Sequence, residues 1–444
     1  VLVAGQVFPF TTLSDRKLTP SFRARYRSFL SHPRISLYRE IIGKAVYALT
    51  GVLIFFNPFP KLTAVEEISF YGAFFLFLIM AMLKGGIRMA NPLTLPLGLF
   101  FAWACIGLPF ALDAGNSGHD VYAHLFKYLV IFYLLVNVFA TEKRLGQLIL
   151  IVIASTTVYA VVTMSHFYLI LGNPLTVKLG YRMPWEIPTN VIGVLTIAAL
   201  IFCLFRLLER KTAPERIILA AALFMLTAAT LATQTRSAIG AMIVGLIVAA
   251  PRLKKVLLIF LPLILLMVFV MPVKNRLDPG SLLNKIRTDD RINTWRIFYE
   301  MAKDHPLTGI GFGFESYRDD ALLAKYNARV PERYRRPVAD KAPHNFIVDT
   351  AVRTGFVGLA LFLFIMLRML WTAGRLALRG RSPLVGSWSL AMLAASSSWI
   401  VQSMFENTLS GPPAVVLILI MAATVILRQL DQPPAPAASA SKQD

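Results

Sequence analysis

The sequence predicts an all-α, polytopic integral membrane protein of about twelve transmembrane helices, and three observations predict it. The 444 residues are 56% hydrophobic and 16% charged, with a mean hydropathy of +0.62, too apolar for a soluble protein of this length. Apolar runs of ~15 to 25 residues recur along almost the whole chain, and a helix rising ~1.5 Å per residue needs such a length to cross a bilayer core. Lys and Arg give a formal charge of +21, and they fall in clusters on alternate connections between those runs. A β-barrel would need short alternating strands instead. Binding to nucleic acid would need a basic stripe interleaved with aromatics, and the chain has none.

Residues 1–40 read as a basic cytoplasmic arm with Arg23, Arg25, Arg27, Arg34 and Arg39. Its first 36 residues hold no apolar run of signal-peptide type, so the first span is expected to direct insertion. Nine spans are expected within 41–273, at 41–56, 68–83, 93–112, 122–139, 148–171, 191–208, 217–232, 239–250 and 256–273. Three more follow within 344–428, at 346–370, 389–405 and 415–427. The tail, 429–444, becomes Pro/Ala/Ser-rich and reads as disordered and cytoplasmic.

Topology follows from the basic residues. Lys84/Arg88, Lys143/Arg144, Arg210/Lys211/Arg216, Arg252/Lys254/Lys255 and Arg375/Arg379/Arg381 mark the cytoplasmic connections. The alternate connections carry Glu66/Glu67, Asp113 and Asp120, residues 172–190, the Gln234–Thr235–Arg236 turn, residues 274–343 and residues 406–413. They fall on the opposite face, and both termini fall in the cytoplasm.

Residues 274–343 are the one sizeable external piece. Trp295, Ile297 and Phe298 give 292–302 a helical apolar spacing. A segment of ~70 residues barely makes a core of its own, so it is expected to contain helices packed on the membrane domain beneath it. Cys105 and Cys203 lie in apolar runs and read as inert buried thiols.

Arginines on the external face run against the positive-inside bias and call for an anion. Arg236 sits in a turn of a few residues between two apolar runs, at the depth of a lipid-linked phosphate. Arg182 follows Gly180 and Tyr181, and Arg287, Arg291 and Arg296 cluster in the long loop. Guanidinium forks grip phosphate oxygens bidentately and stay charged, which suits a diphosphate. The plain alternative is pairing with nearby acids or headgroups.

Pro343 reads as the start of a long apolar helix, which puts His344 at a helix amino terminus. The partial positive charge there favours a neutral imidazole able to accept a proton. His344 is therefore the candidate general base, against the alternative of a structural donor. His32 reads as cytoplasmic, His166 lies within a span, His119 and His124 flank a short loop, and His305 precedes a proline. Asp349 and Arg353, four apart on the His344 helix, read as an internal pair. Glu66/Glu67, Asp289/Asp290 and Asp319/Asp320 are adjacent acids without a supporting His/Cys set, so they read as solvated, and no metal and no cofactor are expected.

These residues form an ordered set. Thr233 to Gly240 reads Thr-Gln-Thr-Arg-Ser-Ala-Ile-Gly. Arg291 opens Arg-Ile-Asn-Thr-Trp, followed by His305-Pro306-Leu307-Thr308-Gly309-Ile310-Gly311 and then Pro343-His344-Asn345. The set resembles the motifs of the O-antigen ligase and polymerase superfamily, with Thr235 where the family usually has Ser, and a looser match from Gly180 to Asn190. The resemblance implies a GT-C type glycosyltransferase in the bacterial inner membrane, with its active site facing the periplasm. Its donor would be a glycan on undecaprenyl diphosphate and its acceptor lipid A-core oligosaccharide, with membrane lipids around it. On this reading Arg182, Arg236, Arg291 and Arg287 hold the diphosphate, His344 is the base, and Asn345, Trp295 and Asn190 support them. Glu66 or Glu67 keeps one reservation, since some membrane glycosyltransferases place an essential acid in the first external loop. Ligases, O-antigen polymerases and protein O-oligosaccharyltransferases share these motifs. The single prominent external loop and the short amino-terminal arm favour the ligase. A lipid-linked glycan flippase is the reading from another class, and charge gathered at one membrane face speaks against it.

Overall fold

The computed structural model describes residues 33–84, 86–179, 189–209, 212–270, 290–335 and 342–432. Among them the chain is helical and holds no strand. The helices are α1 (Pro33–Phe56), α2 (Thr63–Lys84), α3 (Thr94–Gly107), α4 (Ala114–Asp120), α5 (Lys127–Val138), α6 (Glu142–Met164), α7 (Thr189–Leu208), α8 (Ala213–Ala232) and α9 (Arg236–Val270). Within the long loop lie α10 (Asp290–Asp304) and α11 (Asp320–Arg329), and after it come α12 (Phe346–Arg379), α13 (Pro383–Ser403) and α14 (Gly411–Leu430). Two π-helical stretches, Val121–Phe126 and Ser165–Ile170, join α4 to α5 and extend α6.

Nine helices among the described residues are long and apolar enough to cross a membrane, which makes this a multi-pass membrane protein. Their outward faces carry large apolar side chains such as Ile68, Ile217, Ile218, Leu367 and Trp371, each more than half exposed. Side chains of that kind belong against lipid. α14 is buried on every side from Pro413 to Leu427 and lies at the centre, packed on α5, α7, α12 and α13. α9 runs along α13, and α12 lies between α3 and α13.

The nine candidates match nine of the twelve expected spans, and the other three differ for physical reasons. The first expected span is a helix, but it starts at Pro33, and Arg34, Arg39, Glu40 and Lys44 dilute its apolar character. The third ends early, because Pro109 tightens Leu108–Phe110 into a 3₁₀ turn after the 14 residues of α3. The eighth and ninth were expected to be separated by a basic connection, but α9 runs unbroken for 35 residues. Arg252, Leu253, Lys254 and Lys255 are good helix formers, so charge at this point does not interrupt the backbone.

A second departure concerns residues 113–121, expected as a plain external loop. The Asp113 side chain caps α4 by accepting from Asn116 N, and Asp120 is 5% exposed. Ser117, Asn116 and Asp120 receive the backbone N–H groups of Gly313, Glu315 and Phe314, the last at 2.7 Å. They dock the long loop on the membrane domain.

Where described, that loop packs against α12. Its apolar centre joins Ile297, Phe298, Met301, Ile310, Tyr317 and Tyr326 to Ala351 and Val352 of α12. Ile310 N and Gly311 N donate to the carbonyls of Val352 and Arg353, and Phe356 N donates to Pro306 O at 2.7 Å. This seam requires a kink in α12 at Gly355, whose φ is +70°. A Cβ there would collide with the Leu307 carbonyl, so glycine is needed both for its backbone conformation and for space.

Candidate active site

The site forms where four segments distant in sequence meet: the start of α9, the start of α10, the approach to α12 and the turn after α13. Each is placed by local chemistry. The turn from α8 to α9 is closed by Thr233 and by Gln234 at a φ of +47°, with Gln234 Nε2 donating to Thr176 O. Arg236 is the first residue of α9 and is exposed, and Ser237 follows it.

The approach to α12 corrects one expectation. Asn345, not Pro343, starts the helix: its Oδ1 accepts from Ile347 N at 2.9 Å and Val348 N at 3.2 Å. Pro343 and His344 therefore precede the helix, and His344 has a φ of +47°, uncommon for a residue with a side chain. Asn345 Nδ2 also donates to Met404 O at 3.1 Å, which ties the approach to the turn after α13. Trp295, one helical turn after Arg291, donates its indole N–H to Pro343 O at 2.8 Å, and its ring lies 6.4 Å from that of Phe405.

At the centre of these ties is Glu406, which in sequence stands only at the edge of an external connection. Its side chain is only 6% exposed. Oε1 accepts from Ser237 Oγ at 3.2 Å and from Arg291 Nη2 at 3.4 Å, and Oε2 lies 4.0 Å from His344 Nδ1. His344 and Arg291, 53 positions apart in the sequence, are thus brought to one carboxylate, beside the residue that follows Arg236. The signal available in sequence was weak: one acid just beyond an apolar run, on the face where the arginines were placed.

Arg182 and Arg287 lie outside the described residues, as does the side chain of Asn190, whose backbone is in the first turn of α7. Arg296 stacks over the Tyr334 ring at 3.8 Å. Glu67 pairs with Lys127 at 2.6 Å. Asp349 and Arg353 pair at 3.3 Å, both buried. Arg353 also donates to Phe312 O and lies over the Phe314 ring at 3.4 Å, and Asp349 accepts from Tyr317 Oη at 2.9 Å. Burial and the Asp349 carboxylate push the Tyr317 phenol well above its usual range, so it remains a donor. This pair holds the loop to α12 and leads away from the His344 cluster. Among the described residues no group of three or more His, Cys, Asp or Glu could share a metal ion.

The arrangement is an imidazole, a guanidinium and a helix start with its own exposed arginine, set around one buried carboxylate at the end of a membrane bundle. It can hold a phosphate-bearing amphiphile and move a proton next to it. Comparison with known proteins bears on the same region: residues 220–363, from α8 into α12, match the family described as O-antigen ligase. The matched segment contains Arg236, Arg291, Trp295 and His344. No curated protein matches the chain.

Proposed function

We propose, from the match of residues 220–363 to the family described as O-antigen ligase, that the chain belongs to the O-antigen ligase/polymerase superfamily and is a metal-independent, inverting glycosyltransferase of GT-C type. It moves a glycan from undecaprenyl diphosphate to a hydroxyl of lipid A-core oligosaccharide. It sits in the bacterial inner membrane with both termini cytoplasmic and the His344 cluster facing the periplasm. The observation that carries this reading is the convergence of His344 and Arg291 on one carboxylate at the start of α9, next to Arg236.

In this mechanism the acceptor hydroxyl loses its proton to the His344 imidazole as its oxygen attacks the anomeric carbon. The bond from that carbon to the diphosphate oxygen breaks, and undecaprenyl diphosphate leaves with the electron pair. A diphosphate is already a good leaving group, so departure needs charge stabilisation more than a strong acid. Arg236 and Arg291, joined by Arg182 and Arg287, supply it as fixed guanidinium charges. The described part of the long loop, packed on α12, carries Arg291 to the site, and Trp295, Asn345 and Asn190 support it.

The test is reconstitution of the purified protein with lipid-linked glycan and lipid A-core, with and without EDTA. Transfer that EDTA does not affect supports the reading. Elongation of the lipid-linked glycan without acceptor assigns a polymerase, and glycan translocation without any transfer overturns the enzyme assignment.

A further inference from the structure

We infer that Glu406 is a positioning residue for the transfer reaction: its buried carboxylate turns the His344 ring so that one nitrogen faces inward and the other faces the acceptor. The inference rests on the reading of His344 as the base, and it concerns a residue beyond the segment matched to the family.

Burial is the first argument. A carboxylate 6% exposed forfeits most of its hydration, and such a charge is tolerated only where fixed donors replace the lost water. Here the donors Ser237 and Arg291 come from α9 and α10, and His344 on the approach to α12 faces the same carboxylate, three segments that share no sequence neighbourhood. The two oxygens divide the work. Oε1 accepts from Ser237 and Arg291, and Oε2 faces His344 Nδ1.

Rigidity is the second argument. The turn that presents Glu406 is fastened to the same segments its carboxylate serves, through Asn345 Nδ2 to Met404 O and through Trp295 against Phe405. His344 itself has a left-handed backbone conformation, which persists in a residue with a Cβ only where the surroundings impose it. Little freedom is left in where its ring can point.

Chemistry completes the argument. An imidazole has two nitrogens, and a carboxylate facing one of them keeps the proton there, which leaves the other as the base. When the acceptor proton arrives, the same carboxylate stabilises the imidazolium. The 4.0 Å separation is longer than a hydrogen bond, and catalytic contacts of this kind shorten when substrate fills the site. The Arg291 contact adds a second consequence: the carboxylate holds that guanidinium at a fixed distance from the base, so leaving-group stabilisation and proton removal share one reference point. Among the groups facing Glu406 are Arg291 on α10, Ser237 beside Arg236 on α9, and His344. Asp349, further along α12, is engaged by Tyr317 and Arg353.

The experiment uses full-length protein reconstituted with lipid-linked glycan and lipid A-core, comparing wild type with Glu406→Gln and Glu406→Asp. Glutamine keeps the shape and can still accept from Ser237, so the fold is retained, as a thermal midpoint measured alongside would show. The expected result for Glu406→Gln is a fall in kcat of about tenfold or more, with donor KM within about threefold of wild type, because the loss falls on proton transfer rather than on donor binding. Glu406→Asp, which keeps the charge, should keep at least about three times the kcat of the glutamine variant. Wild-type kcat in Glu406→Gln overturns the inference. So does an equal loss in both variants that follows a lowered thermal midpoint or a proportionate rise in KM. Failure of wild-type protein to transfer glycan overturns the underlying reading and this inference with it, whereas wild-type transfer with a fully active Glu406→Gln overturns this inference alone.

Discussion

Trp295 donates its indole N–H to the carbonyl of Pro343 over 2.8 Å, so the helix that carries Arg291 is bolted to the residue just before His344. The two charged groups of the proposed mechanism thus keep a common frame. Trp295→Phe retains the aromatic packing against Phe405 and removes only the donor. A single hydrogen bond contributes about 1 kcal/mol, so the thermal midpoint should move by only a few degrees. Catalysis depends more steeply on placement, and kcat/KM should fall about five- to twentyfold. Steady-state kinetics beside a melting curve checks both halves, and a variant with unchanged kinetics would show that the tie has no part in positioning.

Arg236 and Arg291 should respond to lysine differently from ordinary surface cations. A lysine keeps the charge but lacks the fork that grips two phosphate oxygens. Arg291→Ala and Arg236→Ala are expected to lower kcat/KM for the lipid-linked donor by about 2 to 4 kcal/mol each, with the lysine variants recovering only part. The same direction is expected for Arg182 and Arg287. Donor titrations read this directly, and full recovery by lysine would reduce the arginines to general electrostatic attraction.

The Asp349–Arg353 pair should behave as structure. Both side chains are almost fully buried, and removing one charge strands the other. Asp349→Asn or Arg353→Met should destabilise the protein by about 3 to 5 kcal/mol, most of it as loss of the docked loop. Thermal unfolding in detergent and limited proteolysis of residues 290–335 would show it. An Asp349→Asn protein that melts and resists protease like wild type would remove this pair from the account of loop docking.

How much could be read from sequence differs by residue. The Asp349–Arg353 pair was legible because four-residue spacing on a helix leaves little choice of partner. The helix at 292–302 was legible from its apolar period, and α10 contains it. Pro343 points to a start of α12 that is two residues early, and the capping side chain of Asn345 decides the boundary. The continuity of α9 is not legible from the basic cluster at 252–255, because Arg and Lys are good helix formers and do not break the backbone. Glu406 was invisible for another reason. It belongs to no periodic pattern and to no motif, and its importance comes from three partners supplied by distant segments. Only their assembly in space distinguishes it from an ordinary loop acid.

Gly355 offers a test of the seam between loop and helix. Its φ of +70° and the Leu307 carbonyl pressed against it leave no room for a methyl group. Gly355→Ala should lose about 1 to 3 kcal/mol of stability and loosen residues 306–311, seen as faster hydrogen exchange there. Unchanged exchange and an unchanged melting curve would mean the kink can relax without loss.

The central claim is that His344 removes the acceptor proton while the arginines hold the donor. The most direct measurement separates the two in one protein, by following donor binding and glycan transfer in parallel for wild type and His344→Ala. The account predicts that His344→Ala binds the lipid-linked glycan within about threefold of wild type while transfer falls by 10² or more. Transfer at the wild-type rate by His344→Ala would contradict it.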